Sequence, residues 1–192
     1  MKSVLISIQP KWCIQIAAGE KTIEVRKKCP KLETPFKVYI YCTKSKPILG
    51  RCLNDNSLKE TIETDFDIYN RDTLFRANGR VIGEFVCNKV SVFGYDEHIG
   101  YPTPQYEGDP SFCDCGEGYW ITCGELEKVC LSHDELMEYG NKKTLYGWEI
   151  SKLVIYDKPK QLNRFILANT QHFCLVERPP QSWCYVEETE DA

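Results

Sequence analysis

The tightest constraint on this fold is a change of hydrophobic period at Gly19. Before it, Cys13, Ile16 and Ala17 fall at i, i+3 and i+4, which predicts a short helix with one apolar face over Pro10 to Ala18. Pro10 suits the first helical position, where its missing N–H would be unpaired in any case. Gly19 supplies the left-handed residue that stops the helix. After it the period drops to two. Lys21 to Arg26 alternates strictly, placing Ile23 and Val25 on one face of a strand and Thr22, Glu24 and Arg26 on the other. Upstream, Val4, Ile6 and Ile8 alternate within Ser3 to Ile8, the pattern of a half-buried strand.

Further along, Lys37 to Thr43 reads as a strand that buries Val38, Ile40 and Cys42 and shows Tyr39 and Tyr41 on its opposite face. If it pairs with the strand ending at Arg26, an aromatic and a charged surface adjoin. Gly79 to Val92 is strand-like, and Gly83 within it marks a bulge or a close backbone approach. Ser132-His133-Asp134-Glu135 has the order of a capping box, so a second helix is predicted through Leu136, Met137 and Tyr139, with Gly140 as its stop. Tyr146 to Tyr156 and Ser182 to Glu187 carry further strand runs, and Glu188 to Ala192 is an acidic, frayed tail. Two stretches lack a clean period. Asn54 to Asn78 reads as an inserted surface loop or irregular helix, and Gly94 to Glu125 as a long loop with a short hairpin around Tyr119 to Cys123. Short strands, two or more short helices and long connections predict an α+β chain built on a small β-barrel. One domain over residues 1–192 is expected, with inserted loops at about 54–78 and 94–125.

Composition narrows the function classes. The net charge of −4 argues against non-specific coating of nucleic acid, which needs a broadly basic surface, and leaves room for a small local basic site. Eleven cysteines at scattered spacing, without a secretory signal, are read as reduced thiols that mostly fill the core. With no apolar run of about 18 residues, a soluble, cytoplasmic monomer with no membrane partner and no cofactor is expected. No phosphate-cradling glycine loop, metal-carboxylate pair or nucleophile elbow is present.

The sharpest chemical signal is Gly19-Glu20-Lys21-Thr22-Ile23-Glu24-Val25-Arg26, whose strand from Lys21 to Arg26 sets two cations, a carboxylate and a hydroxyl beside a helix exit. On spacing alone it is equally a surface strand carrying a Glu24–Arg26 ion pair, worth under about 1 kcal/mol when exposed. The stretch resembles the G-x-K-x-x-E-x-R signature of the ASCH (activating signal cointegrator homology) domain family. Ser7-Ile8-Gln9-Pro10-Lys11-Trp12 resembles the approach to that family's first helix. Tyr39 to Thr43, Gly79 to Phe85, Tyr146 to Ile150 and Arg178 to Val186 resemble bacterial and phage-encoded members, so the likeness spans most of the chain outside the two irregular stretches.

That resemblance implies a PUA-like β-barrel with a cleft beside helix one that takes RNA or a modified nucleotide, with Lys21, Glu24 and Arg26 facing it. Lys21 can meet a phosphate as a point charge, and Arg26 offers a planar fork for phosphate or a base edge. Glu24 can orient Arg26 or accept from a base amino group. Trp12, Tyr41, Trp148 and Tyr185 are candidate stacking surfaces, each of them equally at home in ordinary packing. Some small bacterial members resembling this chain are amidohydrolases of acetylated cytidine, with a lysine at the Lys21 position and a threonine nucleophile where this chain has Glu24. Thr22 lies one alternation away, about 6 to 7 Å along the strand, and does not substitute in register. Catalysis by Lys21 and Glu24, as amidohydrolase or ribonuclease, is therefore the alternative to binding alone. A third reading is a zinc-stabilised interaction module held by Cys113, Cys115, Cys123, Cys130 and His133, whose C-x-C start fits zinc spacing poorly.

Overall fold

The computed structural model describes residues 2–67, 72–97, 118–168 and 172–189. Strand β1 (Ser3–Ile8) leads into helix α1 (Pro10–Ala17), and β2 (Ile23–Arg26) and β3 (Phe36–Cys42) follow. Gly19 adopts φ +77, the left-handed stop expected between helix and strand. Strands β4 (Leu49–Cys52), β5 (Ser57–Glu60) and β6 (Leu74–Arg76) precede β7 (Arg80–Cys87), β8 (Val90–Phe93) and β9 (Tyr95–Asp96). Beyond the next described residues come β10 (Gly118–Tyr119), α2 (Cys123–Val129), α3 (His133–Gly140), β11 (Leu145–Glu149), β12 (Ser151–Lys160), β13 (Phe165–Leu167) and β14 (Trp183–Glu188).

The main sheet has six strands in the order β12-β7-β3-β1-β14-β13. Strand β1 lies at its centre, parallel to β3 and antiparallel to β14. That position changes its burial. Every residue of β1 is buried, where alternation predicted one solvated face. Val4, Ile6 and Ile8 pack with Cys13 and Ile16 of α1, while Leu5 joins a second cluster with Tyr39, Tyr41, Phe165 and Val186. Both faces of the sheet are covered, so period two sorts residues between two cores rather than between core and water. Gly83 of β7 shows why a glycine is needed there: a Cβ would stand 2.3 Å from the Val154 carbonyl oxygen. The β3–β7 register also shifts beside it, between Ile40 and Tyr41.

A separate three-stranded sheet, β2-β11-β8, carries the alternating strand. Strand β2 pairs with β11, not with β3, so the aromatic face of Lys37 to Thr43 does not adjoin it. Its Ile23 and Val25 pack with Phe93, Tyr119, Val129, Leu136 and Leu145, which seats α2 and α3 against this sheet. The run Tyr146 to Tyr156 divides into β11 and β12, which belong to different sheets.

Three expectations are corrected. The described residues of Asn54 to Asn78 form more than a loop or irregular helix: beside a 3-10 turn over Glu63–Phe66, β5 and β6 flank β4 in a three-stranded sheet. Helix α2 stands where the long loop was expected to end. Its signal was present, since Thr122 accepts from the Glu125 amide and Glu125 reaches back to the Thr122 amide. Helix α3 starts at the predicted capping box, with Ser132 accepting from the Glu135 amide, and it stops on Asn141 at φ 48 rather than on Gly140. Gly140 is required for space instead: a Cβ there would meet the Tyr119 hydroxyl at 1.7 Å.

The protein is α+β, with three α-helices, one mixed sheet and three antiparallel ones among the described residues. The described pairing orders the main sheet from β12 to β13 and does not by itself show a closed barrel. No helix among these residues is long and apolar enough to cross a membrane.

Candidate functional site

Helix α1 and strand β2 bring together the charged residues singled out in the sequence. Just past Gly19, the Glu20 and Lys21 amides both donate to the Gln15 carbonyl, which turns the chain sharply from helix toward strand. Lys21, Glu24 and Arg26 then converge, only 3%, 5% and 9% exposed. Arg26 Nη2 stands 2.9 Å from Glu24 Oε1, and Lys21 Nζ stands 3.7 Å from Glu24 Oε2. Arg26 Nη2 also donates to the Ser7 carbonyl at 2.7 Å, and Lys21 Nζ donates to the Val129 carbonyl at the end of α2. Burial lowers the Lys21 amine from its ordinary value, against the pull of Glu24 in the other direction.

This is not the exposed ion pair that spacing alone allowed. Two buried cations share one carboxylate, and two polar atoms are left over: Glu24 Oε2 and Arg26 Nε are buried without a hydrogen-bond partner. Such atoms carry a desolvation cost of about 1 to 3 kcal/mol each. All three residues line one cleft of about 600 Å³. Trp12 of α1 forms part of its wall, with Lys21 Nζ 5.1 Å and Lys11 Nζ 4.2 Å from the ring centre.

The opposite wall was not foreseen. It comes from α3 and the segment before it, through Leu131, Glu135, Glu138 and Tyr139. Glu135, Glu138 and Tyr139 fall at i, i+3 and i+4, so a common face was readable once the helix was placed, but not which element it would confront. Lys11 and Glu135 approach to 3.5 Å between α1 and α3, and Lys27 Nζ lies 4.9 Å from the centre of the Tyr139 ring. The cleft's basic and acidic residues balance in number: Lys21, Arg26 and Lys27 against Glu24, Glu135 and Glu138.

The remaining candidates lie elsewhere. Thr22 precedes β2, half-buried, and is not among the residues lining the cleft; its backbone joins the Lys128 carbonyl and the Ile150 amide. Tyr41 is 1% exposed, in the cluster with Leu5 and Phe165, because alternation along β3 turns it from the face that packs on α1. Trp148 pairs directly with Glu24 across the β2–β11 ladder, yet its ring is fully buried edge-on to Phe36 and Trp183. Tyr185 is half-buried beside Trp183 and borders a different, shallower cavity. Of the zinc candidates, Cys113 and Cys115 lie outside the described residues, as does the Cys123 side chain. Cys130 Sγ contacts the Glu127 carbonyl, and His133 packs against Gly118. The described residues hold no group of three or more potential metal ligands.

Comparison with known proteins gives a fold likeness. No family model matches the chain, and no curated protein matches it. Among solved structures it is similar to ASCH from Zymomonas mobilis. The identity is 16% and the TM-score 0.48, over 96% of this chain and 87% of that one. A mutant form of the same protein, with one tyrosine changed to phenylalanine, gives a TM-score of 0.46 at 16% identity, over 97% of this chain and 91% of that one.

Proposed function

We propose that the cleft between α1, β2 and α3 binds a nucleobase, as part of RNA or as a free or modified nucleoside. The observation that carries this reading is that Glu24 Oε2 and Arg26 Nε, on two residues that line the cleft, are both buried without a hydrogen-bond partner. One is an acceptor and the other a donor. A base edge that offers an amino group next to a ring acceptor, as cytosine and adenine do, carries the complementary donor and acceptor. The balanced charge of the cleft favours such a neutral, polar group, and Trp12 offers an aromatic surface to stack it on. Lys21 is already engaged by Val129 and Glu24, so its contribution is to hold the carboxylate in place.

The test is equilibrium binding of cytidine, acetylated cytidine, adenosine, uridine and short single-stranded RNAs, with product analysis on every sample. Wild type should bind the amino-bearing nucleosides more tightly than uridine, and Glu24→Gln should lose that preference with its fold intact. Absence of binding to the whole panel would overturn the reading. Turnover by wild type that Glu24→Gln abolishes would assign hydrolysis instead, with the burial-lowered Lys21 amine beside Glu24 as the acid–base pair.

A further inference from the structure

A second cavity, of about 420 Å³, adjoins the first and differs from it in charge. Lys27 lines both. Beyond it the wall is formed by Lys28 and Lys31 with the rings of Trp183 and Tyr185, and Lys2 Nζ lies 4.0 Å from the centre of the Tyr185 ring. Lys2, Lys27, Lys28 and Lys31 are all exposed, and no ion pair joins any of them to a described residue. In a chain of net charge −4 this is a concentrated basic patch.

Its geometry is held by the backbone. The Lys31 amide donates to the Tyr185 hydroxyl at 2.6 Å, and Trp183 Nε1 donates to the Lys28 carbonyl at 3.3 Å. The lysine-bearing turn after β2 is thereby fastened to β14. The two rings meet edge to face with centroids 5.2 Å apart, so their planes are fixed and both remain half-buried rather than enclosed. Continuity with the cleft is direct. Arg26 lines the cleft and Lys27 follows it in the chain, while Gln181 borders the cleft two residues before Trp183.

We infer that this basic, aromatic cavity is the subsite for the nucleotide flanking the bound base, so that the ligand is a segment of single-stranded RNA rather than a free nucleoside. The inference rests on the nucleobase reading of the cleft. Uncompensated lysines meet the phosphates, and Trp183 and Tyr185 give the neighbouring base a stacking surface. The charge contrast divides the labour: the neutral cleft takes a base and the basic cavity takes the backbone. Acidic peptide is the competing partner for such a patch, but it has no use for the aromatic pair.

The experiment compares a labelled pentanucleotide RNA, cytidine monophosphate and polyglutamate as ligands of four proteins: wild type, Lys28→Ala/Lys31→Ala, Tyr185→Leu and Glu24→Gln, each checked for native melting. Tyr185→Leu should weaken the pentanucleotide about tenfold. The double lysine variant should reduce the salt dependence of log K by about 0.7 for each phosphate that is no longer neutralised. Tyr185→Leu should leave cytidine monophosphate unchanged, whereas Glu24→Gln should weaken both nucleotide ligands. Unchanged pentanucleotide affinity in both patch variants, with weaker binding in Glu24→Gln, would overturn the subsite and leave the cleft reading standing. Failure of wild type to bind either nucleotide would overturn the cleft reading and the subsite with it. Polyglutamate binding as tight as that of the pentanucleotide would assign the patch to acidic protein and overturn the subsite.

Discussion

Two carboxylates in this protein sit between cations, and they end up with opposite roles. Glu84 of β7 accepts from Lys37 Nζ at 2.8 Å through one oxygen and from the Tyr156 hydroxyl at 2.6 Å through the other. Nearby, Glu188 accepts from the Tyr39 hydroxyl at 3.2 Å and from Lys160. In that cluster every carboxylate oxygen has a donor. Glu24 is more deeply buried than Glu84, 7% against 22% side-chain exposure, yet one of its oxygens has none. The satisfied pair ties together β3, β7, β12 and β14 of the main sheet. The unsatisfied one borders a cleft. The number of charges is similar in the two places, and the difference lies in whether the fold spends all the hydrogen-bonding capacity or leaves some over.

Removing the carboxylates separates the two most sharply. Glu24→Ala leaves Lys21 and Arg26 buried without a counter-charge and should lower stability by about 3 to 5 kcal/mol in chemical denaturation. Glu84→Ala, whose cation is half in water, should cost about 1 to 2 kcal/mol. Equal losses would erase the distinction. Tyr156→Phe comes next, at about 1.5 kcal/mol for a hydrogen bond to a charged group.

That substitution also has a pH signature. Burial on its own raises Glu84, but the Lys37 ion pair and the Tyr156 hydrogen bond outweigh it, and the carboxyl lies below its ordinary value when folded. The resulting stabilisation is complete above the unfolded carboxylate value of about 4.3 and is lost as pH falls through the lowered folded value. Denaturation midpoints followed from neutral to acid pH should show this loss in wild type and less of it in Tyr156→Phe.

The smallest effect is on the alkaline side. Lys21 has a folded value lowered from 10.5, so the unfolded chain binds its proton more tightly. Stability from this group should rise with pH between the lowered value and 10.5, no more steeply than about 1.4 kcal/mol per pH unit. Lys21→Met should abolish that rise. A flat alkaline limb in wild type would show that the amine is not held in a desolvated site.

Much of the site was legible because it is local. Pro10, the apolar spacing of α1, Gly19 and the alternation from Lys21 onward each act through neighbours in the chain, and they are enough to set Glu24 and Arg26 on one face of a strand beside a helix exit. Gly83 was readable as a glycine inside a strand pattern, although the close approach that requires it, to the Val154 carbonyl, is tertiary. The two irregular stretches were misread where turn chemistry outweighed composition. Thr122 and Glu125 cap α2 within a segment rich in glycine and proline, and β4, β5 and β6 form one small sheet from strands of three or four residues, too short to show a period.

By itself, then, the sequence determined the order of elements around Gly19 and which residues share a face of β2, because propensity, capping and side-chain period are properties of adjacent residues. Only the tertiary structure decided that Lys21, Glu24 and Arg26 are buried, that the Val129 carbonyl accepts from Lys21 and Tyr139 lines their cleft, and that Tyr41 and Trp148 turn into cores away from the cleft. Those outcomes depend on which surfaces meet across long chain separations. Burial is what converts an ion pair of little consequence in water into a desolvated, incompletely paired group, and burial is set by the partner and not by the motif.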